Sequence, residues 1–226
     1  MEDSLFVGGV VSLTTIDYPG CLSAVVFLQG CPWRCRYCHN KHLQKILPAE
    51  SLPWDDVKAL LRTRKGFVEA VVFSGGEPLE QAFLGTAVKE VKDMGFKVGL
   101  HTSGAYPERL SAVVSLFDWV GFDVKESFQN YQLITNIPDS GEKALESLKI
   151  LIASGVPFEV RMTLDPIIEI SDICGTLKDI SRMGVKTVAL QKVRDKDGQA
   201  VEHPIFSDKL LLEDLSKYFD NFFIRD

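Results

Sequence analysis

Short apolar runs alternate with longer amphipathic stretches along most of the chain. Six runs have the length and the Val and Phe content of buried strands, at residues 23–30, 69–74, 96–102, 119–125, 158–164 and 187–193. Helical patterns are predicted at 51–64, 82–94, from 107, at 141–154, 170–183 and 207–218, and a short apolar stretch follows at 222–224. The alternation predicts repeated strand–helix units.

Strands that alternate with helices at spacings of about 25 to 35 residues form parallel sheets with right-handed crossovers. A full eight-stranded barrel typically needs about 250 residues, and this chain has 226. We therefore predict an α/β fold, a partial (β/α)6 TIM-like barrel of parallel strands, with a doubly wound sheet as the alternative. No linker rich in Gly, Pro or Ser divides the chain, so residues 1–226 are expected to form a single domain.

Composition narrows the class of function. The formal net charge of -6 and the pI near 5.3 argue against a broad nucleic-acid surface, which needs a surplus of Lys and Arg. The first residues lack the pattern of a secretory signal, and no apolar run reaches the roughly 18 residues of a membrane span. We expect a cytoplasmic protein that binds neither nucleic acid nor membrane.

The chemically unusual residues follow the predicted strands. CPWRCRYCHN follows the first, SGGEP the second and TSGAYPE the third; DVK ends the fourth, Arg161 lies in the fifth, and Gln191 and Arg194 lie at the sixth. Ligands in parallel α/β folds bind at the carboxyl ends of the strands. The six ends are therefore expected to converge on one site.

Three of the five cysteines, Cys31, Cys35 and Cys38, form a C-x3-C-x2-C run directly after a strand. A structural zinc ion normally takes four protein ligands, and His39 is adjacent to Cys38, which makes it a poor fourth. A four-iron cluster takes one ligand per iron, so three thiolates leave one iron open. A structural zinc knot stays the alternative. Cys21 and Cys174 are expected to pack as small hydrophobic residues.

With Tyr37 before the third cysteine, this loop resembles the cluster motif of the radical S-adenosylmethionine (SAM) superfamily. The resemblance implies that Cys31, Cys35 and Cys38 bind a 4Fe-4S cluster whose open iron chelates the amino and carboxylate groups of SAM. Reduction of the cluster would then cleave SAM to a 5′-deoxyadenosyl radical, with no catalytic side chain beyond the cluster and SAM. Tyr37 would face the adenine, or else serve only in packing.

The resemblance extends to the other strand ends. Ser74, Gly75, Gly76 and Glu77 match the family's GGE motif, which implies that they bind the amino group of SAM, although GGEP alone could be a plain turn.

Asp123 and Lys125 match a D-x-K of glycyl-radical activating enzymes and are expected to contribute to the SAM site. A salt bridge inside the barrel is their alternative. Arg161 could hold the carboxylate or ribose end of SAM, or pair with Glu159 or Asp165. His101 and Ser103 stand where many activases have DTNG; His101 replaces an acidic residue, so it either substitutes in the ribose contact or is a core histidine.

Segments along nearly the whole chain, among them TTIDYPG, DWVGFDVK and SGVPFEVRMT, look like the activating proteins of anaerobic ribonucleoside-triphosphate reductase and of pyruvate formate-lyase. The resemblance implies an oxidoreductase of EC 1.97.1 type that abstracts hydrogen from a glycine of a partner glycyl-radical enzyme under anaerobic conditions.

No further cysteine lies between Cys38 and the first helix, so flavodoxin or ferredoxin is the expected electron donor. Gln191, Lys192 and Arg194 are expected to line the opening for the glycyl loop. A radical SAM enzyme acting on a small molecule or nucleotide, and a non-catalytic zinc or redox module, are the alternatives.

Overall fold

The structure, a computed structural model, describes residues 4–225. Its nine-stranded sheet contains β1 (Val7–Thr14), β2 (Ser23–Leu28), β3 (Ala70–Gly75), β4 (Lys97–Thr102), β5 (Trp119–Asp123), β6 (Phe158–Leu164), β7 (Thr187–Arg194), β8 (Ala200–Val201) and β9 (Asn221–Arg225). The order in the sheet follows the chain from β1 to β8, and β9 pairs with β7. Strands β2 to β7 and β9 are parallel, whereas β1 and β8 are antiparallel to their neighbours.

Helices connect the parallel strands: α1 (Trp54–Arg64), α2 (Leu84–Asp93), α3 (Pro107–Val113), α4 (Gln132–Thr135), α5 (Ser140–Ser154), α6 (Ile170–Arg182) and α7 (Lys209–Ser216). Helix α2 buries Leu84, Ala87, Val88 and Val91, the one-face spacing of an amphipathic helix. No helix within residues 4–225 combines the length and the apolar content needed to cross a membrane. The predicted α/β barrel-like sheet of parallel strands is confirmed, and all six predicted strands are present.

Strand β1 was not predicted, and its sequence explains why. VGGVVSLT contains two glycines and lies at the sheet edge, where only Val7 is fully buried. Such a segment shows neither a continuous apolar run nor a clear alternation. The apolar stretch predicted at 222–224 forms the centre of β9, which extends the parallel run beyond β7.

The sheet is buried on both faces, which accounts for continuous apolar runs such as SAVVFL in β2. A large cluster joins the strands to the helices. A smaller one, made of Tyr18, Val25, Ala70, Val72 and Trp119, lies on the other face. Since β2 to β7 are parallel, their carboxyl ends meet along one edge of the sheet, where the loops are free to carry function.

Candidate active site

A cavity of about 260 Å³ opens where the carboxyl ends of the parallel strands meet. The structure brings to it all three cysteines of the C-x3-C-x2-C run, together with nine of the ten residues predicted to bind SAM: Tyr37, Ser74, Gly75, Gly76, His101, Ser103, Asp123, Lys125 and Arg161. Glu77 is the exception. The strand ends thus converge on one cavity, as the sequence predicts.

The cysteine loop is held in place by backbone hydrogen bonds to distant parts of the chain. The Cys31 N–H donates to Gln44 O at 3.1 Å, and the Arg34 and Arg36 N–H groups donate to carbonyls of α4 at 2.9 and 3.0 Å. The Arg34 side chain also donates to the carbonyls of Cys31 and Trp33. The loop is therefore anchored on both sides, and its three half-buried thiols lie at the cavity wall.

The thiols fit a bound iron–sulfur cluster by their chemistry. Burial, with the nearby charge of Glu77, raises the pKa of Cys31 to about 12, and burial also raises the pKa of Cys35, where Lys125 opposes the shift. Thiols in such surroundings ionise when a metal supplies positive charge. Within residues 4–225, no three His, Cys, Asp or Glu side chains are arranged to hold a single metal ion. In a 4Fe-4S cluster each thiolate binds a different iron.

Gly75 and Gly76 are required by the close approach of two backbone segments. Gly75 has φ of +110°, and a Cβ there would lie 2.4 Å from Leu28 N; a Cβ on Gly76 would lie 2.2 Å from Gly30 O. The Gly76 N–H donates to Leu28 O, and the Glu77 N–H donates to Gly30 O at 2.7 Å. The end of β3 is thereby fastened to the start of the cysteine loop.

Glu77 departs from its predicted place because its side chain turns away from the cavity and is fully buried. Its two carboxylate oxygens accept from Leu79 N, Thr102 Oγ1 and both donors of Ser103, at 2.6 to 3.1 Å. Burial raises the pKa of Glu77, and these donors oppose the shift. Glu77 thus joins the end of β3 to the end of β4, which lines the cavity.

Asp123 and Lys125 form an ion pair of 3.1 Å at the cavity wall. The Lys125 side chain is 9% exposed and that of Asp123 is 43% exposed. The ammonium lies 6.0 Å from the ring centre of Trp33 and 5.8 Å from that of Tyr37. Burial works to lower the pKa of Lys125, but Asp123 and neighbouring groups raise it well above its usual value. The lysine therefore carries a fixed charge beside the cysteine loop.

Arg161 belongs to a buried network of ionised groups. Its Nε lies 3.0 Å from Glu159, which also accepts two bonds of 2.7 Å from Arg225. The alternative ion pair between Arg161 and Glu159 is thus present, whereas Asp165 pairs with Arg36 at 3.1 Å. Arg161 also lines the cavity. Its guanidinium has five N–H donors, more than Glu159 uses, so it can bind a ligand while it keeps the ion pair.

His101 lies against Arg161 and Trp119 on the inner face of the sheet. Burial, and then the Arg161 charge, lower its pKa well below 6.5, so the ring is neutral. Nε2 lies 2.9 Å from Asp17 O and 3.0 Å from Arg161 Nη1, and Nδ1 lies 3.5 Å from the same Arg161 nitrogen. The imidazole is thus a core histidine with partners in the protein, as one of the two alternatives predicts, and it also lines the cavity; its ribose contact stays a prediction.

Sequence reasoning missed three residues of the cavity wall, Trp33, Thr102 and Thr163. Thr163 could have been found, because it follows Arg161 by two positions in β6 and so faces the same side. Gln191 lines the cavity as well, but Lys192 pairs with Glu202 at 2.8 Å and Arg194 bonds to Gly198 O on the exposed surface. The hydroxyl of Tyr37 is buried without a hydrogen-bond partner in the described part of the chain.

Comparison with known proteins places these residues in context. A family model described as "Radical SAM superfamily" matches residues 25–180. A protein of Methanocaldococcus jannaschii with the provisional name glycyl-radical enzyme activating enzyme is 31% identical over 235 residues, 97% of this chain and 95% of its own length. The pyruvate formate-lyase-activating enzyme of Clostridium pasteurianum is 31% identical over 164 residues, 70% of this chain and 67% of its own.

Among solved structures, SuiB of Streptococcus suis bound to S-adenosylmethionine superposes with a TM-score of 0.65 at 10% identity. The match covers 87% of this chain and 48% of the SuiB chain. At that identity the likeness concerns the fold alone.

Proposed function

This chain belongs to the radical SAM superfamily, and we propose that it activates a glycyl-radical enzyme by removing a hydrogen atom from one glycine of that partner. Members of the superfamily use a 4Fe-4S cluster and S-adenosylmethionine. One observation carries the proposal: the three cysteines and polar residues of the five strands β3 to β7 line one cavity. The names of the two relatives at 31% identity support the choice of a glycyl-radical partner.

In this proposal Cys31, Cys35 and Cys38 would hold the 4Fe-4S cluster, and the bound, reduced cluster would supply the electron that cleaves SAM. The chain's own residues supply the surrounding charges. Lys125 and Arg161 are the cations of the cavity wall and suit the carboxylate of SAM. Asp123 and the backbone carbonyls of Gly75 and Gly76 suit its ammonium group.

Three residues take positioning roles. Glu77 holds Thr102 and Ser103 at the end of β4, so its effect on SAM passes through them. His101, neutral in this structure, does not replace the charge of the acidic residue it stands for, and acts instead by fixing the Arg161 guanidinium. Tyr37 faces the cavity with its ring and is assigned to the adenine.

The finer identity of the partner rests on the sequence segments that resemble activating proteins of anaerobic ribonucleoside-triphosphate reductase. We assign that reductase type as the substrate, with residues 1–226 acting as one domain. The absence of further cysteines between Cys38 and α1 supports an external electron donor, flavodoxin or ferredoxin, and all three proteins would meet in the cytoplasm.

Anaerobic reconstitution tests this function. The protein is loaded with iron and sulfide, reduced, and mixed with SAM and an anaerobic ribonucleotide reductase, and the glycyl radical is sought by electron paramagnetic resonance. We expect the doublet of a glycyl radical and release of 5′-deoxyadenosine. A tight colourless zinc complex that never cleaves SAM would refute the radical assignment. Turnover of a small molecule without any glycyl signal would show that the substrate is that molecule and not a glycyl-radical enzyme.

Single cysteine variants give the matched control. Cys31→Ala, Cys35→Ala and Cys38→Ala should each abolish SAM cleavage, because each removes one ligand of the cluster. Cys21→Ala and Cys174→Ala should leave cleavage unchanged, since neither thiol lines the cavity. Loss of cleavage in Cys174→Ala would require a second metal site.

A further inference from the structure

The cysteine loop differs in charge from the chain that carries it. Residues 31–49 contain four Lys or Arg (Arg34, Arg36, Lys41 and Lys45) and no Asp or Glu, while the whole chain has a formal net charge of -6. His39 and His42 lie in the same segment. The positive charge is therefore concentrated beside the three thiols.

The basic residues of this segment divide into two kinds. Arg34 donates to backbone carbonyls of the loop, and Arg36 pairs with Asp165, so both shape the loop. Lys41 and Lys45 are exposed and form no ion pair within residues 4–225. Exposed lysines without a structural partner are available to an external anion, and nothing in the local fold accounts for their charge.

A second basic wall faces the loop across an open depression of about 690 Å³. The wall is formed by Arg194, the last residue of β7, and by Lys196 in the turn that follows, with Asp195 between them. Cys38 also lines the depression. We call Lys41, Lys45, Arg194 and Lys196 the basic rim: Lys41, Arg194 and Lys196 line the depression at Cys38, and Lys45 lines a neighbouring depression that contains Cys31.

We propose that the basic rim is the docking surface for a small acidic protein that delivers one electron at a time. This inference rests on the proposed function, because it assumes a cluster on the cysteine loop. The position of the rim beside the thiols suits a protein that passes electrons to the cluster. An acidic protein would be attracted to the rim and repelled by the rest of the acidic chain, so it would dock here. In the transfer the carrier is oxidised by one electron, the cluster is reduced by one electron, and no bond forms or breaks.

Charge reversal tests the rim. The double variant Lys41→Glu/Lys45→Glu is reconstituted and mixed anaerobically with fully reduced flavodoxin, and the bleaching of the cluster absorbance is timed. At low ionic strength we expect the rate to fall by about tenfold or more, because steering by complementary charge raises association rates by about 10 to 1,000-fold. Reduction by dithionite should proceed as in the wild type. Added salt should slow the wild-type reaction with flavodoxin and should leave the variant nearly unaffected.

The matched control is Lys89→Glu/Lys149→Glu, which makes the same change of net charge at exposed positions of α2 and α5. Equal slowing in both double variants, or a wild-type rate that is independent of salt, would overturn the proposal. So would rim-dependent binding of a single-stranded RNA oligonucleotide that excludes flavodoxin. The measurement needs only a reducible cluster, so failure at the rim leaves the glycyl assay intact, and failure of that assay leaves the reduction rates intact.

Discussion

The carboxylate of Glu77 accepts two hydrogen bonds from one residue, Ser103, whose backbone N–H and hydroxyl lie 2.9 and 2.6 Å away. The two residues come from the ends of adjacent parallel strands, β3 and β4. Ser103 lines the cavity and Glu77 does not. The acidic residue of GGE therefore acts in this chain as a brace that fixes the height and direction of the next strand end.

The substitution Glu77→Gln should destabilise the protein and weaken SAM binding together. An amide in that place meets donors with a donor, so buried donors of Thr102 or Ser103 lose their acceptor, at a cost of about 1–3 kcal/mol each. Urea unfolding of the protein without cluster measures the first effect, and equilibrium dialysis of the reconstituted protein measures the second. Glu146→Gln, at an exposed position of α5, is the control. Equal stability of the two variants would contradict the role of Glu77 in holding the end of β4.

The neutral state of buried His101 predicts a loss of stability in acid. Its pKa is lowered in the folded protein, so the unfolded chain takes up a proton first as the pH falls through about 6.5. The stabilising contribution is present above that pH and is lost below it. Between pH 7.5 and 5.5 the free energy of unfolding should fall by about 1 kcal/mol on account of this residue.

Comparison with His101→Gln isolates that effect. The other ionisable groups titrate alike in both proteins, so the difference between their urea unfolding curves at the two pH values belongs to His101. The variant should lose less stability in acid than the wild type. Parallel losses would mean that the imidazole is protonated in the folded state.

Gly76 and Gly175 predict opposite outcomes for the same substitution. Gly76→Ala would place a methyl group 2.2 Å from Gly30 O, against backbone that cannot move aside without shifting the cysteine loop. It should destabilise the protein and lower the iron content after reconstitution. A Cβ on Gly175, inside helix α6, meets nothing within 4 Å, so Gly175→Ala should raise the free energy of unfolding by about 0.4–1 kcal/mol. Equal effects of the two would contradict the close approach.

The features that sequence alone predicts here are those carried by local periodicity. The apolar runs of β2 to β7 located the strands, and the polarity of a parallel sheet then placed Cys31, Asp123 and Arg161 at one edge. The direction of a side chain in a turn follows no such period. The sequence assigns Glu77 to SAM through its resemblance to the GGE motif. The contact of Glu77 with Ser103, 26 positions away, arises only once β3 and β4 lie side by side.

Contacts between residues far apart in the chain were not predicted either, because local periodicity carries no information about them. Glu159 and Arg161 are two apart in β6, so their pairing was foreseeable, but the bidentate contact between Glu159 and Arg225 spans 66 positions. It exists only because β9 adds to β7. The edge strand β1 likewise depends on its pairing with β2 and on burial of Val7, since two glycines interrupt its apolar residues.

Substitution of Lys125 distinguishes two roles of this residue, stabilising the fold through its ion pair with Asp123 and binding SAM. Its partner Asp123 is 43% exposed, so water can solvate that carboxylate if the lysine is removed. Lys125→Met keeps an unbranched side chain, one atom shorter, and removes the ammonium that lies near the Trp33 and Tyr37 rings. Replacing a buried ion-pair member by an apolar residue of similar volume is often close to neutral when the partner is not left buried. We therefore expect urea unfolding of the protein without cluster to change by less than about 1 kcal/mol.

SAM binding by the same variant should suffer much more. A hydrogen bond from an ammonium to a carboxylate is worth about 1.5–3 kcal/mol, so losing it should weaken SAM binding about tenfold or more. Lys125→Arg, which keeps the charge, should recover part of the affinity. Equilibrium dialysis against the reconstituted variants measures both. If Lys125→Met unfolds easily and binds SAM normally once folded, the ion pair with Asp123 is purely structural, because only a lysine that contacts the cofactor loses binding without losing stability.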